Sequence, residues 1–158
     1  MNELDAELIL INKEHEETAT VFLALCKDYL NDLDNIPTDI TDRLPQSMLD
    51  CQGEPDRWLL LVRGKDDYIG FTHFKIDREE RPGWGFICEF YIVPRYRRQG
   101  WGSWLYKRAL EKLVDEGAGS VWLTASRTGT GFWRAVGFEE TGAVAGNGLD
   151  VMISSKEL

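Results

Sequence analysis

The sequence predicts a mixed α/β fold built on a central sheet. Three observations carry that prediction. Short apolar runs recur along the chain, at 8–11, 58–62, 68–76, 86–93, 121–125, 138–142 and 149–153, and each has the length and composition of a strand. Between them lie segments whose apolar residues repeat at helical spacing. One run, Phe86 to Val93, passes through a glycine turn directly into such a segment. The order that results is β-α-α-β-β-β-α-β-α-β-β.

Each element has its own signal. Leu8-Ile9-Leu10-Ile11 is a short strand. From Glu16 to Leu33, Val21, Leu25, Tyr29 and Phe22, Cys26, Leu30 repeat at i, i+4, which is a helix with an apolar stripe. Pro37 and the capping candidates Thr38 and Asp39 start a second helix that runs to about Leu49, and Gly53-Glu54-Pro55 breaks the chain. The strands Trp58–Val62, Tyr68–Ile76 and Phe86–Val93 then follow as an antiparallel meander. A helix from about Gly102 to Glu116 stops at Gly117-Ala118-Gly119. Val121–Ala125 is a strand, and Gly129 to Val136 a short helix ending at Gly137. Two closing strands flank the turn Gly146-Asn147-Gly148.

The chain has 158 residues, a length that fits a single domain spanning 1–158 with a true core. Hydrophobic residues make up 43% and charged residues 28%, which argues against disorder. No apolar run approaches the roughly 20 residues of a membrane span, so no membrane partner is expected. The start, Met1-Asn2-Glu3-Leu4-Asp5, lacks the basic opening of a signal peptide. Cys26, Cys51 and Cys88 are odd in number and far apart, neither a disulfide framework nor a metal pattern. A reducing, cytoplasmic location is the expectation. The net charge is −9, and it is uneven: residues 1–60 carry 14 acidic and 4 basic side chains, while the remaining residues carry 13 and 14. That disfavours nucleic acid as a partner. It fits either a cationic partner near the first 60 residues or a solvated acidic surface.

The most informative segment is Arg97-Arg98-Gln99-Gly100-Trp101-Gly102. Strand, glycine turn and helix in succession point several backbone N–H groups, and the positive end of a helix dipole, at one spot. Gly100 and Gly102 remove side chains that would block a phosphate. Two common phosphate fingerprints are missing: no Gly-x-Gly-x-x-Gly follows the first strand, and no Gly-x-x-x-x-Gly-Lys-Ser/Thr occurs. Arg97 or Arg98 can add charge-assisted contacts, with Arg95 the better candidate for a plain surface charge.

The larger pattern, Glu89-Phe90-Tyr91-Ile92-Val93-Pro94-Arg95-Tyr96-Arg97-Arg98-Gln99-Gly100-Trp101-Gly102-Ser103, resembles the acyl-CoA signature of the GNAT superfamily of N-acyltransferases, whose core Arg/Gln-x-x-Gly-x-Gly/Ala is matched by Arg97, Gly100 and Gly102. Gly131-Phe132-Trp133-Arg134-Ala135-Val136-Gly137-Phe138 resembles that family's second motif, an aromatic pair followed by Gly-Phe. The resemblance covers nearly the whole chain. It implies a mostly antiparallel sheet with one splayed parallel pair, and acetyl-CoA as co-substrate. The pyrophosphate would be held by Arg97, Arg98, Gln99, Gly100, Trp101, Gly102 and Ser103. The pantetheine arm would lie along Tyr91, Ile92 and Val93 like an added strand, with Ser126, Phe132 and Trp133 contributing further contacts. It also implies direct transfer of an acetyl group to an amine, with the Ile92 N–H facing the developing oxyanion.

An alkylammonium must lose a proton before it attacks. Glu89, inside a run of Phe, Ile, Cys, Phe and Tyr, is the first candidate for the base; the other reading is a strand-edge carboxylate paired with an arginine. His73, on the neighbouring strand, is either a second base or a satisfied half-buried residue. Trp133 departs from the resemblance, since relatives often have a tyrosine there to protonate the thiolate, and an indole cannot. Ser126 falls where relatives often have an asparagine, a second departure. Tyr91, Tyr96, Ser126 and Thr130 are substitutes for the acid. Tyr106, at helical spacing with Ala109, Leu110 and Leu113, reads as core. Trp84 is a candidate acceptor contact.

In the family the first two helices and their connection wall the acceptor site. Asp28, Asp32, Asp34, Asp39 and Asp42 cluster there, which points to a small cationic amine. A protein or peptide N-acetyltransferase and a non-catalytic acyl-CoA-binding module are the alternatives. The closing strands could support a homodimer.

Overall fold

The computed structural model of the protein describes residues 4–33, 36–126 and 128–154. Among these residues the elements are β1 (Glu7–Leu10), α1 (Glu16–Asp32), α2 (Thr38–Asp50), β2 (Arg57–Arg63), β3 (Tyr68–Ile76), β4 (Gly85–Ile92), a 3-10 turn (Pro94–Tyr96), α3 (Trp101–Asp115), β5 (Val121–Ala125), α4 (Thr130–Ala135), β6 (Phe138–Val144) and β7 (Asp150–Ser154). The order is the expected one, with the 3-10 turn added. Seven strands form a sheet in the order β1-β2-β3-β4-β5-β7-β6, mostly antiparallel with β4 and β5 as its parallel pair. The β4–β5 ladder runs from Gly85↔Val121 to Ile87↔Leu123, while β4 itself continues to Ile92.

The chain packs as two compact units. One comprises the residues up to His73 together with Glu89–Leu105; the other comprises Phe74–Cys88 and the residues from Tyr106 on. In the first unit the sheet is covered on both faces. One face carries Phe22, Cys26 and Leu30 of α1 and Met48 and Leu49 of α2 against Leu59, Leu61, Phe71, Tyr91 and Val93. The other carries Trp101 and Leu105 of α3 against Val62, Ile69 and Ile92. The i, i+4 stripe of α1 is thus its buried face, with Phe22 edge-on to Phe71 at 5.2 Å. α2 contains Pro45 in its interior, where a ring without an N–H costs one helical hydrogen bond; its buried Pro45, Met48 and Leu49 offset that cost.

Strand β3 breaks its own alternation. Ile69 faces the α3 side and Phe71 the α1 side, although they are two residues apart. The irregularity sits at Gly70. A Cβ there would lie 2.0 Å from the Tyr91 carbonyl oxygen and 3.1 Å from the Ile92 Cα. Any side chain would push β3 off β4.

In the second unit, the connection from β3 to β4 is organised by Asp77, which is 2% exposed. Its N–H donates to the Trp84 carbonyl at 2.7 Å, and its own carbonyl accepts from the Gly83 N–H at 2.8 Å. Its carboxylate accepts from the N–H of Glu79 at 3.0 Å, the N–H of Arg81 at 2.8 Å and Trp122 Nε1 at 3.1 Å. Burial alone would raise the Asp77 pKa; these donors outweigh burial and hold it below the ordinary carboxylate value. Tyr106, Trp133 and Phe138 form an edge-on aromatic cluster in the same unit. Gly85 lies against Leu113, whose Cδ1 is 2.8 Å from where a Cβ would stand.

These contacts set the expected cost of two substitutions. Gly70→Ala is expected to lower the free energy of unfolding by about 3 kcal/mol, measured by urea titration, because the obstacle is backbone rather than a yielding side chain. Asp77→Ala is expected to cost about 3 kcal/mol at neutral pH by orphaning buried donors. Because the folded pKa is depressed, Asp77's contribution is complete above the unfolded value of about 4 and disappears as pH falls through the lower folded value. The gap between wild type and Asp77→Ala should therefore narrow only in that acid range.

Candidate functional site

The site grows out of one continuous segment in the first unit, from β4 into α3. Val93 N–H donates to the Ile69 carbonyl at 2.8 Å, which sets the end of β4 against β3. The chain then closes a 3-10 turn: Tyr96 N–H donates to Val93 O at 2.9 Å, and Arg97 N–H to Pro94 O at 3.1 Å. Arg98 (φ +61°) and Gly100 (φ +91°) both take left-handed backbone. That is an uncommon conformation for an arginine and costs about 1 kcal/mol. It reverses the chain into the helix, the setting in which successive amides make an anion-binding concavity. The Trp104 N–H donates to Gly100 O at 3.0 Å. The amides of Trp101, Gly102 and Ser103 precede that bond, in the first turn, where helical N–H groups have no carbonyl partner within the helix.

The three arginines of the turn have separate positions. Arg95 is ion-paired to Asp67, lies over the Tyr96 ring at 5.0 Å, and shares Asp67 with the Tyr96 hydroxyl, which donates at 3.2 Å. The Arg95 hydrogen bond is the main reason the Asp67 pKa is lowered. Arg97 folds back: its Nε donates to the Ile92 carbonyl at 2.8 Å, its Nη2 reaches Asp32 at 3.4 Å, and its guanidinium lies 5.5 Å from the Tyr91 ring centre. Arg98 is exposed. Gln99 Nε2 donates to the Arg95 carbonyl at 3.1 Å. Of the arginines expected to meet phosphate, Arg97 therefore braces the turn, and Arg98 is the one directed outward.

The peptide between Tyr91 and Ile92 has a defined direction. The Tyr91 carbonyl oxygen points at Gly70 on β3. In a trans peptide the following N–H points the opposite way, so the Ile92 N–H faces away from β3. Tyr91, Ile92 and Val93 are themselves buried. Burial raises the Tyr91 pKa, Asp32 and Asp28 add to the rise, and Arg97 partly offsets it.

Glu89 and His73 meet. His73 Nδ1 lies 2.6 Å from Glu89 Oε2, with side chains 5% and 16% exposed. His73 Nε2 lies 2.9 Å from Arg57 Nη1, and Arg57 Nε is 3.4 Å from Glu54 Oε2. Thr72 Oγ1 donates to the Glu89 carbonyl at 2.9 Å. On the α1 side, the buried Cys26 thiol is pushed up to about 12 by burial and by the Glu89 charge. Arg57 is the residue that sequence reasoning missed. An arginine heading an otherwise apolar strand, Arg57-Trp58-Leu59-Leu60-Leu61-Val62, was the available signal, and it named no partner.

Of the five aspartates read as an acidic cluster, Asp34 lies outside the described residues. Asp39 pairs with Arg43 at 3.2 Å within α2, and Asp32 with Arg97. Asp28 is exposed on α1 and Asp42 on α2.

Ser126, Phe132 and Trp133 belong to the second unit. The Ser126 carbonyl accepts from the N–H groups of Gly129 at 2.9 Å and Thr130 at 3.2 Å, opening α4. Trp133 is 8% exposed and packs edge-on against Phe132, Tyr106 and Phe138. Tyr106 is core, as expected, and burial pushes its pKa up to about 12. Trp84 carries the Arg81 guanidinium 5.0 Å from its ring centre.

Residues 22–138 match the model of the acetyltransferase (GNAT) family. The fold is shared by several solved structures. The PaiA N-acetyltransferase from Thermoplasma acidophilum, in complex with coenzyme A, is 16% identical, with 97% of this chain and 100% of that chain covered at a TM-score of 0.74. An acetyltransferase from Thermus thermophilus is 17% identical, with all of both chains covered at a TM-score of 0.71. An aminoglycoside 6'-N-acetyltransferase complexed with coenzyme A is 11% identical, with 96% of each chain covered at a TM-score of 0.71. No curated protein matches the chain. The solved structures share its architecture, the family model spans most of its length, and the chain belongs to the GNAT family of acetyltransferases.

Proposed function

We propose that this protein transfers an acetyl group from acetyl-CoA directly to a small cationic amine, with Glu89 as the general base. What supports the reading best is the continuity of Glu89 with the glycine turn. The carboxylate stands on β4, oriented by His73 at 2.6 Å, and the same segment leads without interruption into the Arg97–Gly102 turn. In this reading the base and the donor-binding backbone lie on one strand and the turn that follows it. That shared frame is what a direct transfer between two bound substrates requires.

Acetyl-CoA, the co-substrate of GNAT enzymes, meets three kinds of groups in this proposal. The amides of Trp101, Gly102 and Ser103, together with Arg98, receive the pyrophosphate. The backbone of Tyr91, Ile92 and Val93 receives the amides of the pantetheine arm. The Ile92 N–H, directed away from β3, stabilises charge on the thioester oxygen. Glu89 takes a proton from the ammonium, directly or through water. The freed amine nitrogen attacks the thioester carbonyl carbon and the C–N bond forms; the nitrogen, now cationic, gives its remaining extra proton to solvent as the C–S bond breaks. The CoA thiolate leaves and is protonated from solvent. A thiol has a pKa of about 8.5, so this last step needs no dedicated acid, and the indole at position 133 is no obstacle.

The cationic acceptor is supported by the charge of residues 1–60, 14 acidic against 4 basic, and by Asp28 and Asp32 near the Tyr91 end of β4. Release of CoA thiol measured over a panel of cationic, neutral and anionic amines tests the reading. Cationic amines are expected to have the highest kcat/KM, and a preference for anionic amino acids would overturn the acceptor class. Glu89→Gln is expected to lower kcat roughly a hundredfold or more with little change in KM for acetyl-CoA. Coenzyme A binding without acetylation of any amine, and no effect of Glu89→Gln, would make the protein a binding module instead. Asp28→Asn is expected to raise KM for a cationic amine by about threefold at low salt, and less as salt screens the charge, while KM for a neutral amine stays constant.

A further inference from the structure

Glu89 has one oxygen committed to a histidine, and that histidine has both ring nitrogens engaged. His73 Nδ1 faces Glu89 Oε2 at 2.6 Å, and His73 Nε2 faces Arg57 Nη1 at 2.9 Å. The two neighbours are chemically one-sided. A guanidinium carries donors only and keeps its proton at any pH the protein meets, and an ionised carboxylate carries acceptors only. Arg57 can therefore only donate, so Nε2 must present its lone pair. The ring's one proton is then on Nδ1, where it points at Glu89.

We infer that Arg57 and His73 are positioning residues for Glu89: Arg57 locks the imidazole as the neutral Nδ1–H tautomer, and His73 in turn fixes the carboxylate. The inference rests on the reading of Glu89 as the base. It assigns His73 no proton transfer of its own, because Nδ1 is already protonated and the Nε2 lone pair is taken. It also explains why an arginine is useful behind a histidine. An imidazolium beside Glu89 would form a full ion pair, favour the charged carboxylate and weaken it as a base. With Nε2 occupied, the second proton has no place to bind unless Arg57 moves. The geometry is well shielded: His73 is 5%, Glu89 16% and Arg57 22% exposed at the side chain. Arg57 is itself oriented by Glu54, and the Glu89 main chain is tied by Thr72. Among the described residues, the titratable groups beside the pair are Arg57 of β2, Cys26 of α1, whose pKa burial and the Glu89 charge push up to about 12, and Cys88, which precedes Glu89 along β4. One carboxylate oxygen accepts from His73, leaving Oε1 for the proton taken from the acceptor.

The chain has two histidines, His15 and His73, so nitrogen-15 NMR of histidine-labelled protein reads the tautomer directly, with His15→Gln supplying the assignment. The expected result is a neutral His73 protonated on Nδ1 and not on Nε2. Arg57→Met should release that lock: the Nε2–H tautomer appears, or both ring nitrogens carry protons. Its kcat should fall roughly tenfold at unchanged KM for acetyl-CoA. Arg57→Lys, which also only donates, should keep the tautomer and recover most of kcat, and it serves as the folded control should Arg57→Met be unstable. Wild-type His73 protonated on Nε2, or an Arg57→Met variant with tautomer and kcat both unchanged, would overturn the inference. Full activity in Glu89→Gln would overturn the base assignment instead, while the tautomer measurement still decides whether Arg57 sets the state of His73.

Discussion

β3 and β4 come together around a single missing side chain. At Gly70 the Tyr91 carbonyl occupies the space a Cβ would need, and much of the candidate site is hung on the two strands held by that approach. His73 is three residues along β3 from Gly70, and Glu89 is two residues before Tyr91 on β4, so the imidazole–carboxylate contact lies close to the same junction. The direction of the Tyr91–Ile92 peptide is fixed there too. Val93 N–H bonds to Ile69 O one residue further, after which β4 leaves the sheet for the turn. Close backbone packing of this kind is unforgiving, since interiors near crystal density have no slack to absorb a methyl group.

Electrostatics then refine what packing sets. The arginines of the turn illustrate the division. Arg95 and Arg97 have internal partners, Asp67 in one case and Ile92 O with Asp32 in the other, and so serve the shape of the turn. In the proposed donor site, backbone amides and the exposed Arg98 supply the positive potential for a phosphate. Binding a diphosphate mainly through N–H groups has a physical advantage, because fixed dipoles need no reorganisation when the ligand arrives.

Much of this was legible in the sequence, for identifiable reasons. α1 could be read because Phe22, Cys26 and Leu30 repeat over many residues, and periodic signals strengthen with length. The turn could be read because glycines at 100 and 102 between a strand and a helix have few other uses. The meander placed His73 on the strand beside Glu89, but their 2.6 Å contact was not read from the sequence. Other features were hidden. Arg57 is 16 residues from its partner His73, and nothing local marks that contact. The inward fold of Arg97 depends on Asp32, 65 residues earlier. Trp133 read as a departure from a motif, and its environment shows an indole filling a gap between Phe132, Tyr106 and Phe138. Pro45 is a poor helix former by local propensity, yet tertiary packing keeps α2 whole around it.

Asp67 has a consequence for how the protein comes into being. This one residue of the β2–β3 connection holds both Arg95 and Tyr96. The other tertiary partners described for the turn, Asp32 and Ile69, are likewise earlier in the chain than the segment they hold. On a ribosome, where residues emerge from the N-terminus first, the turn is therefore born into a scaffold whose anchors already exist. Its shape can be captured before β5, α4, β6 and β7 have been synthesised.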